Sequence, residues 1–389
     1  MIIEIGNKKR AKKLLAGDGY EPRVLASVGI SGANDSPKTE VEKAKIAQRY
    51  GADIVIDHTL TPLNYDVQRE ILSEVEIPVS SIAVYDVAQM VLYSDTKKHF
   101  TAKDVLNEFE RKARLGIDMI TVHASVTRED ISHFNTTDRI IPCTSRGGTM
   151  VLENMLKTGE DNYYFTYFDE ILQIAKEYGV TISLGSVFRP ASINDAINFN
   201  SKYWDEVNKN ASLAKRAREM GVNCMVEGIG HCPINLIPEI VKKSKQICDN
   251  IPYRVLSVST DSALGFDHVA SAIASSVAAM AGADFITAVS RSEHLGLPSV
   301  EDLKEAVISA KIAAHAGYIA RTGDISLDLK MASARSELGC RGSISAGIVP
   351  KMTEEALLSH KLSEGKKCTM CGEFCALSSG DRIKNENSN

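Results

Sequence analysis

Residues 223–233 read Asn223-Cys-Met-Val-Glu227-Gly-Ile-Gly230-His231-Cys-Pro233: a short strand-like run ending on a carboxylate, a glycine-containing turn, then a helical pattern over Pro238–Cys248. Parallel strands need long crossover connections, usually helices, so a strand followed by a helix is the repeating unit of a parallel sheet. The unit recurs along the chain. Strand-like runs lie at Val24–Gly29, Asp53–Thr59, Pro78–Tyr85, Met119–Ser125, Val180–Ser186, Asn223–Glu227, Arg254–Thr260 and Asp284–Ser290. Helical periodicity fills the gaps, as at Thr39–Tyr50, Ala102–Leu115, Phe168–Tyr178, Asp205–Met220 and Ala270–Ala281. Eight units predict an α/β fold, a closed (β/α)8 barrel of the TIM type over residues 21–300. A segment over 1–20 precedes it, and helices with a cysteine-bearing tail over 301–389 follow.

The composition suits a soluble enzyme. Of 389 residues, 44% are hydrophobic and 24% charged, and the net charge of −5 argues against a polyanion such as nucleic acid as partner. Nothing resembles a signal peptide or the roughly 20-residue apolar run of a membrane span, so a cytoplasmic protein is expected. Its eight cysteines then point to metal ligands or buried thiols rather than disulfides.

Reactive side chains cluster at the predicted strand ends: Asp57 and His58, Tyr85, His123, Ser186, Glu227, Thr260 and Asp261, then Ser290 with Glu293-His294. In a barrel these ends converge on one mouth, where active sites are built. Some are equally candidates for capping the next helix, Asp57, Thr59 and Ser290 above all. In the long connection after the fourth strand, Thr144-Ser145-Arg146-Gly147-Gly148 offers backbone amides and a guanidinium to an anion, or is a plain turn before a helix over Val151–Lys157. Arg189 adds a cation after the fifth strand. His231 and His294, carried by two different loops, could share a metal or serve as hydrogen-bonded structural groups. His123 and Tyr85 could bind a polar substrate or move protons, or simply pack.

Near the C-terminus, Cys368-Thr-Met-Cys371-Gly-Glu-Phe-Cys375 packs three thiols into eight positions. Three thiolates suit a four-iron cluster with one iron open to a small molecule. The alternative is a zinc knuckle completed by His360 or Cys340. The polar stretch after Cys375 reads as a frayed tail.

Taken together, TSRGG at 144–148, SLG with RP at 183–190, EGxGHxP at 227–233, DH at 267–268, EHLGLP at 293–298, KIAAHA at 311–316 and the cysteine string resemble the phosphomethylpyrimidine synthase family, ThiC and its relatives. These are atypical radical S-adenosylmethionine enzymes, and the resemblance spans about residues 20 to 376. It implies a barrel with a cluster-bearing C-terminal segment, usually in a homodimer where that segment covers the partner's active site. By resemblance, Tyr85, His123, Ser145, Arg146, Gly147, Arg189 and Glu227 contact 5-aminoimidazole ribotide, with Glu227 and His123 as the proton-transfer candidates. His231 and His294 hold a divalent metal, usually zinc. Cys368, Cys371 and Cys375 hold a [4Fe-4S] cluster that binds S-adenosylmethionine and takes its electron from an external donor.

The departures from that pattern also matter. The family's pyrimidine synthases carry Asn-Ala-Asn-Ile-Gly where this chain has Leu25-Ala-Ser27-Val-Gly29, and Asp-Gly-Leu-Arg where it has Ser186-Val-Phe188-Arg189. A methionine expected in the second strand is Ile56, and Gly-Pro-Gly-His is Gly228-Ile-Gly-His231. Such changes at the mouth, with the cluster and metal ligands kept, resemble the 5-hydroxybenzimidazole synthase paralogues of cobamide biosynthesis. That product is therefore the sequence's first expectation, and the thiamin pyrimidine phosphate from the same ribotide is the second. A zinc-dependent barrel hydrolase or aldolase with a structural cysteine knuckle, and a subunit active only with a paralogous partner, are the other readings.

Overall fold

A closed ring of eight parallel strands forms where the sequence repeats its strand–helix unit. The computed structural model describes residues 1–389 apart from 32–35, 198–200, 337–339, 363–367, 369 and 387–389. It divides into two compact units, Met1–Arg321 and Thr322–Asn389.

An antiparallel hairpin of β1 (Ile2–Ile5) and β2 (Leu14–Gly17) opens the first unit. The barrel strands are β3 (Arg23–Val28), β4 (Ile54–Asp57), β5 (Val79–Ile82), β6 (Met119–Val122), β7 (Thr181–Leu184), β8 (Cys224–Glu227), β9 (Tyr253–Val255) and β10 (Phe285–Ala288). Each pairs in parallel with its neighbour, and β10 closes on β3 with Phe285 opposite Arg23. The expected eight-stranded barrel is thus present, all its strands but β3 shorter than their sequence runs. Beyond β8 and β9 a single bridge, His231 to Val258, carries the pairing into the mouth.

Strand periodicity positions the site. Side chains two apart share a face, so Ile54 and Ile56 point inward with His58, Met119 with Thr121 and His123, and Met225 with Glu227. At the N-terminal end of the strands most inward residues are apolar, while Thr181 donates its hydroxyl to the Glu4 carbonyl of the hairpin. Leu25, Ile54, Ile56, Met119, Met225 and Phe285 pack there with Ile3, Ile5 and Ala16 of the hairpin, which plugs that end of the barrel. Burying Ile3 and Ile5 contributes roughly 1.5–3 kcal/mol each. Residues 1–20, expected only as an N-terminal segment, contain this hairpin; two four-residue strands separated by eight residues carry too little periodicity to register. At the other end, polar side chains ring a cavity instead.

Local capping fixes the helix ends. Helix Ala102–Leu115 starts on a Thr101–Asp104 capping box and stops at Gly116 in the left-handed conformation, and Gly179 stops Phe168–Tyr178 in the same way. The second unit contains helices Ser326–Ser336, Cys340–Ser345, Pro350–Ser359 and Ala376–Glu386. The first had been expected to run to Leu338, which lies outside the described residues. Ala376–Glu386 corrects the frayed-tail expectation: a polar segment here takes helical form. Among the described residues no helix is long and apolar enough to cross a membrane.

Candidate active site

The cavity at the C-terminal ends of the strands encloses about 430 Å3, within the range of small-molecule sites, and Tyr85, His123, Ser145, Arg146, Gly147, Arg189 and Glu227 all line it. The structure therefore brings together every residue that the sequence assigned to the substrate. It also places there His58, expected at a strand end, and adds Arg254, to which the sequence assigned no role.

Arg146 opens helix Arg146–Thr158 rather than a turn before it. Ser145 is its N-cap, its Oγ accepting from the Gly148 amide at 3.1 Å, so the Arg-Gly-Gly string forms the first helical turn. The first amides of a helix have no partner within it and favour an anion. The Ser145 Oγ accepts in this cap, so its O–H remains a donor beside the backbone and the guanidinium. Arg146 lies over the Tyr85 ring at 4.8 Å, and its Nε donates to the Tyr85 hydroxyl at 2.8 Å. Tyr85 itself sits in the first turn of helix Ala83–Leu92, because the third barrel strand stops at Ile82.

His123 is clamped between two glycines. A Cβ at Gly185 would lie 2.7 Å from His123 Cδ2, and one at Gly147 would overlap the same ring, so only glycine fits at either position. Burial, then the Arg189 charge, pull the His123 pKa down to about 4 against the opposing pull of Glu227. The imidazole is neutral at physiological pH, and its buried Nδ1 has no partner among the described residues.

Glu227 on β8 meets Arg254 on β9. Arg254 Nη1 donates to Glu227 Oε1 at 2.6 Å and its Nε to Thr287 Oγ1 at 3.0 Å, with both charged side chains almost fully buried. Burial alone would raise the Glu227 pKa, but Arg254, Arg189 and His123 hold it below the ordinary carboxylate range. Glu227 is a fixed anion, suited to accept hydrogen bonds and unsuited to act as a neutral acid. No spacing rule links residues 227 and 254; a lone arginine inside a predicted strand was the only signal.

Two departures that looked decisive in sequence point elsewhere. The Ser186 hydroxyl donates to Glu206 at 2.9 Å, as do the Val187 and Phe188 amides at 2.6 and 2.8 Å and the Ser125 hydroxyl at 2.9 Å. Phe188 is buried with its ring 5.0 Å from that of His133. Neither side chain lines the cavity, whereas Ser27 does. Asp57 is structural too, accepting from the Thr59 amide and hydroxyl and from Gln68.

His231 and His294 do converge, their ring centroids 5.2 Å apart. Asp261 contacts His231 Nδ1 at 2.6 Å, and Asp267 contacts His294 Nδ1 at 3.0 Å. A carboxylate on one ring nitrogen orients the ring and leaves the other nitrogen for a ligand, the arrangement found around metal-bound histidines. The pair fits a divalent metal whose remaining positions are filled from elsewhere, since among the described residues no three His, Cys, Asp or Glu side chains converge as a ready site. Cys368, Cys371 and Cys375 are unbridged thiols, and the 3-10 turn Gly372–Phe374 separates the last two. As a donor set, three thiols within eight positions fit an iron–sulfur cluster.

Comparison with known proteins agrees with this geometry. The model of the Radical SAM ThiC family matches residues 1–382. Phosphomethylpyrimidine synthase from Thermoanaerobacter sp. (strain X514) is 39% identical over 369 residues, covering 93% of this chain and 84% of that one. The enzyme of the same name from Ignicoccus hospitalis is 37% identical, covering 96% and 87%. Phosphomethylpyrimidine synthase 2 from Methanothermobacter thermautotrophicus is 35% identical, covering 93% and 86%. A match running from the plugging hairpin past the cysteine string leaves one conclusion: the chain belongs to the radical SAM ThiC family.

Proposed function

We propose that this chain is a radical S-adenosylmethionine lyase that rearranges 5-aminoimidazole ribotide to the phosphomethylpyrimidine of thiamin biosynthesis. Family membership implies S-adenosylmethionine and an iron–sulfur cluster. The observation that carries the substrate class is the N-terminus of helix Arg146–Thr158, whose free amides and Arg146 guanidinium face a cavity shared with Arg189 and Glu227. Such a cradle suits a phosphate monoester at one end of a small polar molecule.

With S-adenosylmethionine on a cluster held by Cys368, Cys371 and Cys375, the cofactors would supply a carbon radical able to remove hydrogen from the ribotide. The chain's own residues do the rest. Arg146 and the Gly147 amide anchor the phosphate, Tyr85 is held by Arg146 against the bound molecule, and Arg189 adds charge. Glu227 accepts hydrogen bonds from the amine or hydroxyls, and neutral His123 takes or returns protons. The walls of the barrel keep water from the reacting carbons. The family resemblance also supports a homodimer.

His231 and His294 would hold zinc or another divalent ion, which supplies a Lewis-acidic charge. Asp267→Ala frees the His294 ring and should weaken metal affinity by about 10–100-fold, read by metal content after dialysis against a graded chelator. Unchanged metal retention would remove the carboxylate from the site.

A second product has one observation in its favour. Ser27 lines the cavity where the resemblance expects an asparagine, and the loss of an amide changes which substrate atoms can be held. That favours 5-hydroxybenzimidazole, the expectation drawn from sequence. Ser186 and Phe188 add nothing to that support, because neither side chain lines the cavity.

The test is an anaerobic reaction of the reconstituted protein with ribotide, S-adenosylmethionine and reductant, followed by mass spectrometry. Pyrimidine phosphate together with 5'-deoxyadenosine is the expected result. 5-Hydroxybenzimidazole would transfer the assignment to the second product, and no 5'-deoxyadenosine would overturn the radical reading.

A further inference from the structure

We propose that Glu206 is a positioning residue of this site, which holds the loop after β7 and thereby sets the Arg189 guanidinium that the ribotide meets. The inference rests on the substrate reading above. Arg189 is partly exposed and lines the cavity, and its charge acts there on both His123 and Glu227. Glu206 is buried on helix Ser201–Glu219 and does not line the cavity, so it acts only through what it holds.

Each oxygen of the Glu206 carboxylate meets two donors. Oε1 accepts from the Val187 amide at 2.6 Å and the Ser125 hydroxyl at 2.9 Å, and Oε2 from the Phe188 amide at 2.8 Å and the Ser186 hydroxyl at 2.9 Å. These bonds fix three consecutive loop residues, ending on the one before Arg189. The Phe188 carbonyl is held as well, accepting from Arg139 Nη1 at 2.8 Å. Arg189 then folds back on the fixed turn, its Nη1 donating to the Ser186 carbonyl. Both the backbone and the guanidinium of Arg189 are thus referred to the turn that Glu206 holds.

Stability alone does not call for a carboxylate at this place. Glu206 is 3% exposed, and burial raises its pKa against the pull of all four donors, so the anion is costly here. Apolar packing would bury a loop without that cost. What four convergent hydrogen bonds add is a single geometry for the loop, and a binding side chain is only as well placed as the residues that support it.

Glu206→Gln tests the role, because the two backbone amides bond to different oxygens. Whichever oxygen becomes NH2, either Val187 or Phe188 faces a donor in place of its acceptor. Ribotide binding is measured by anaerobic calorimetry on the full chain carrying its reconstituted cluster, and thermal melting checks that each variant is folded. Glu206→Gln should bind the ribotide about tenfold more weakly, and in turnover that factor should appear in KM rather than kcat. Arg189→Met alone should weaken binding by about the same factor, and adding Glu206→Gln to it should cost nothing further. If Glu206→Gln does not fold, Ser125→Ala/Ser186→Ala takes its place: it removes two of the four donors, keeps both amides held, and should cost about threefold. Wild-type affinity in the folded variant, a loss confined to kcat, or a loss that adds to that of Arg189→Met overturns the positioning role while leaving the substrate reading intact. Failure of the wild-type protein to bind ribotide overturns both.

Discussion

Replacing Arg254 by methionine should destabilise the first unit by about 3–5 kcal/mol, because it leaves Glu227 as a buried charge without its partner. The two side chains are 4% and 6% exposed and meet at 2.6 Å, so water cannot take over the role of the guanidinium. The Glu227 pKa is depressed in the folded protein. Its contribution to stability is thus present above the unfolded carboxylate pKa of about 4.3 and is lost as pH falls through the lower folded value. In Arg254→Met the sign reverses. Desolvation dominates, so the variant is least stable relative to wild type at neutral pH, and the gap narrows in acid as Glu227 protonates. Urea denaturation across that pH range measures both effects. The double variant Arg254→Met/Glu227→Gln should recover part of the loss, since the uncompensated charge is gone. A single variant within about 1 kcal/mol of wild type at neutral pH would show that the pair is not what neutralises the barrel interior.

Cys371→Ala should abolish turnover and lower iron retained after anaerobic reconstitution by at least about tenfold, while barely moving the melting temperature. Cys371 is exposed and contributes nothing to the barrel core, so its loss should be chemical rather than structural. The matched control is Cys232→Ala. That thiol is fully buried, and its removal should cost stability while leaving the iron in place. Iron content, visible absorbance and 5'-deoxyadenosine formation are the readouts. If Cys371→Ala kept its iron and colour, the three-cysteine string would not be the cluster site. If a zinc assay instead showed one equivalent lost, the knuckle reading would take its place.

The legible parts of this molecule share one physical property, which is that their causes lie within a few residues. Helix Ala102–Leu115 can be read to the residue because Thr101 and Asp104 cap one end and Gly116 the other. The eight strands are legible because β-branched runs recur between helical stretches, and family strings such as EGxGHxP lie at their ends. The plugging hairpin was not legible. Its strands are four residues long, and the apolar surface that holds them is supplied by Leu25, Ile54, Met119 and Phe285, from four other strands.

The site divides along the same line. Sequence by itself determined the fold class, the family and the set of residues gathered at the mouth, because strand register and motif order are local properties. Only the tertiary structure decided which of them face a substrate. Ser186 and Phe188 turn toward Glu206 and His133, Arg254 neutralises Glu227, and Arg146 meets the Tyr85 hydroxyl and the His58 ring. The physical reason is that the direction of a side chain beyond a strand end depends on partners from other elements. Glu206 lies 20 residues from Ser186, and Arg146 lies 88 residues from His58. No pattern along the chain encodes such pairings, because they arise only when the barrel closes.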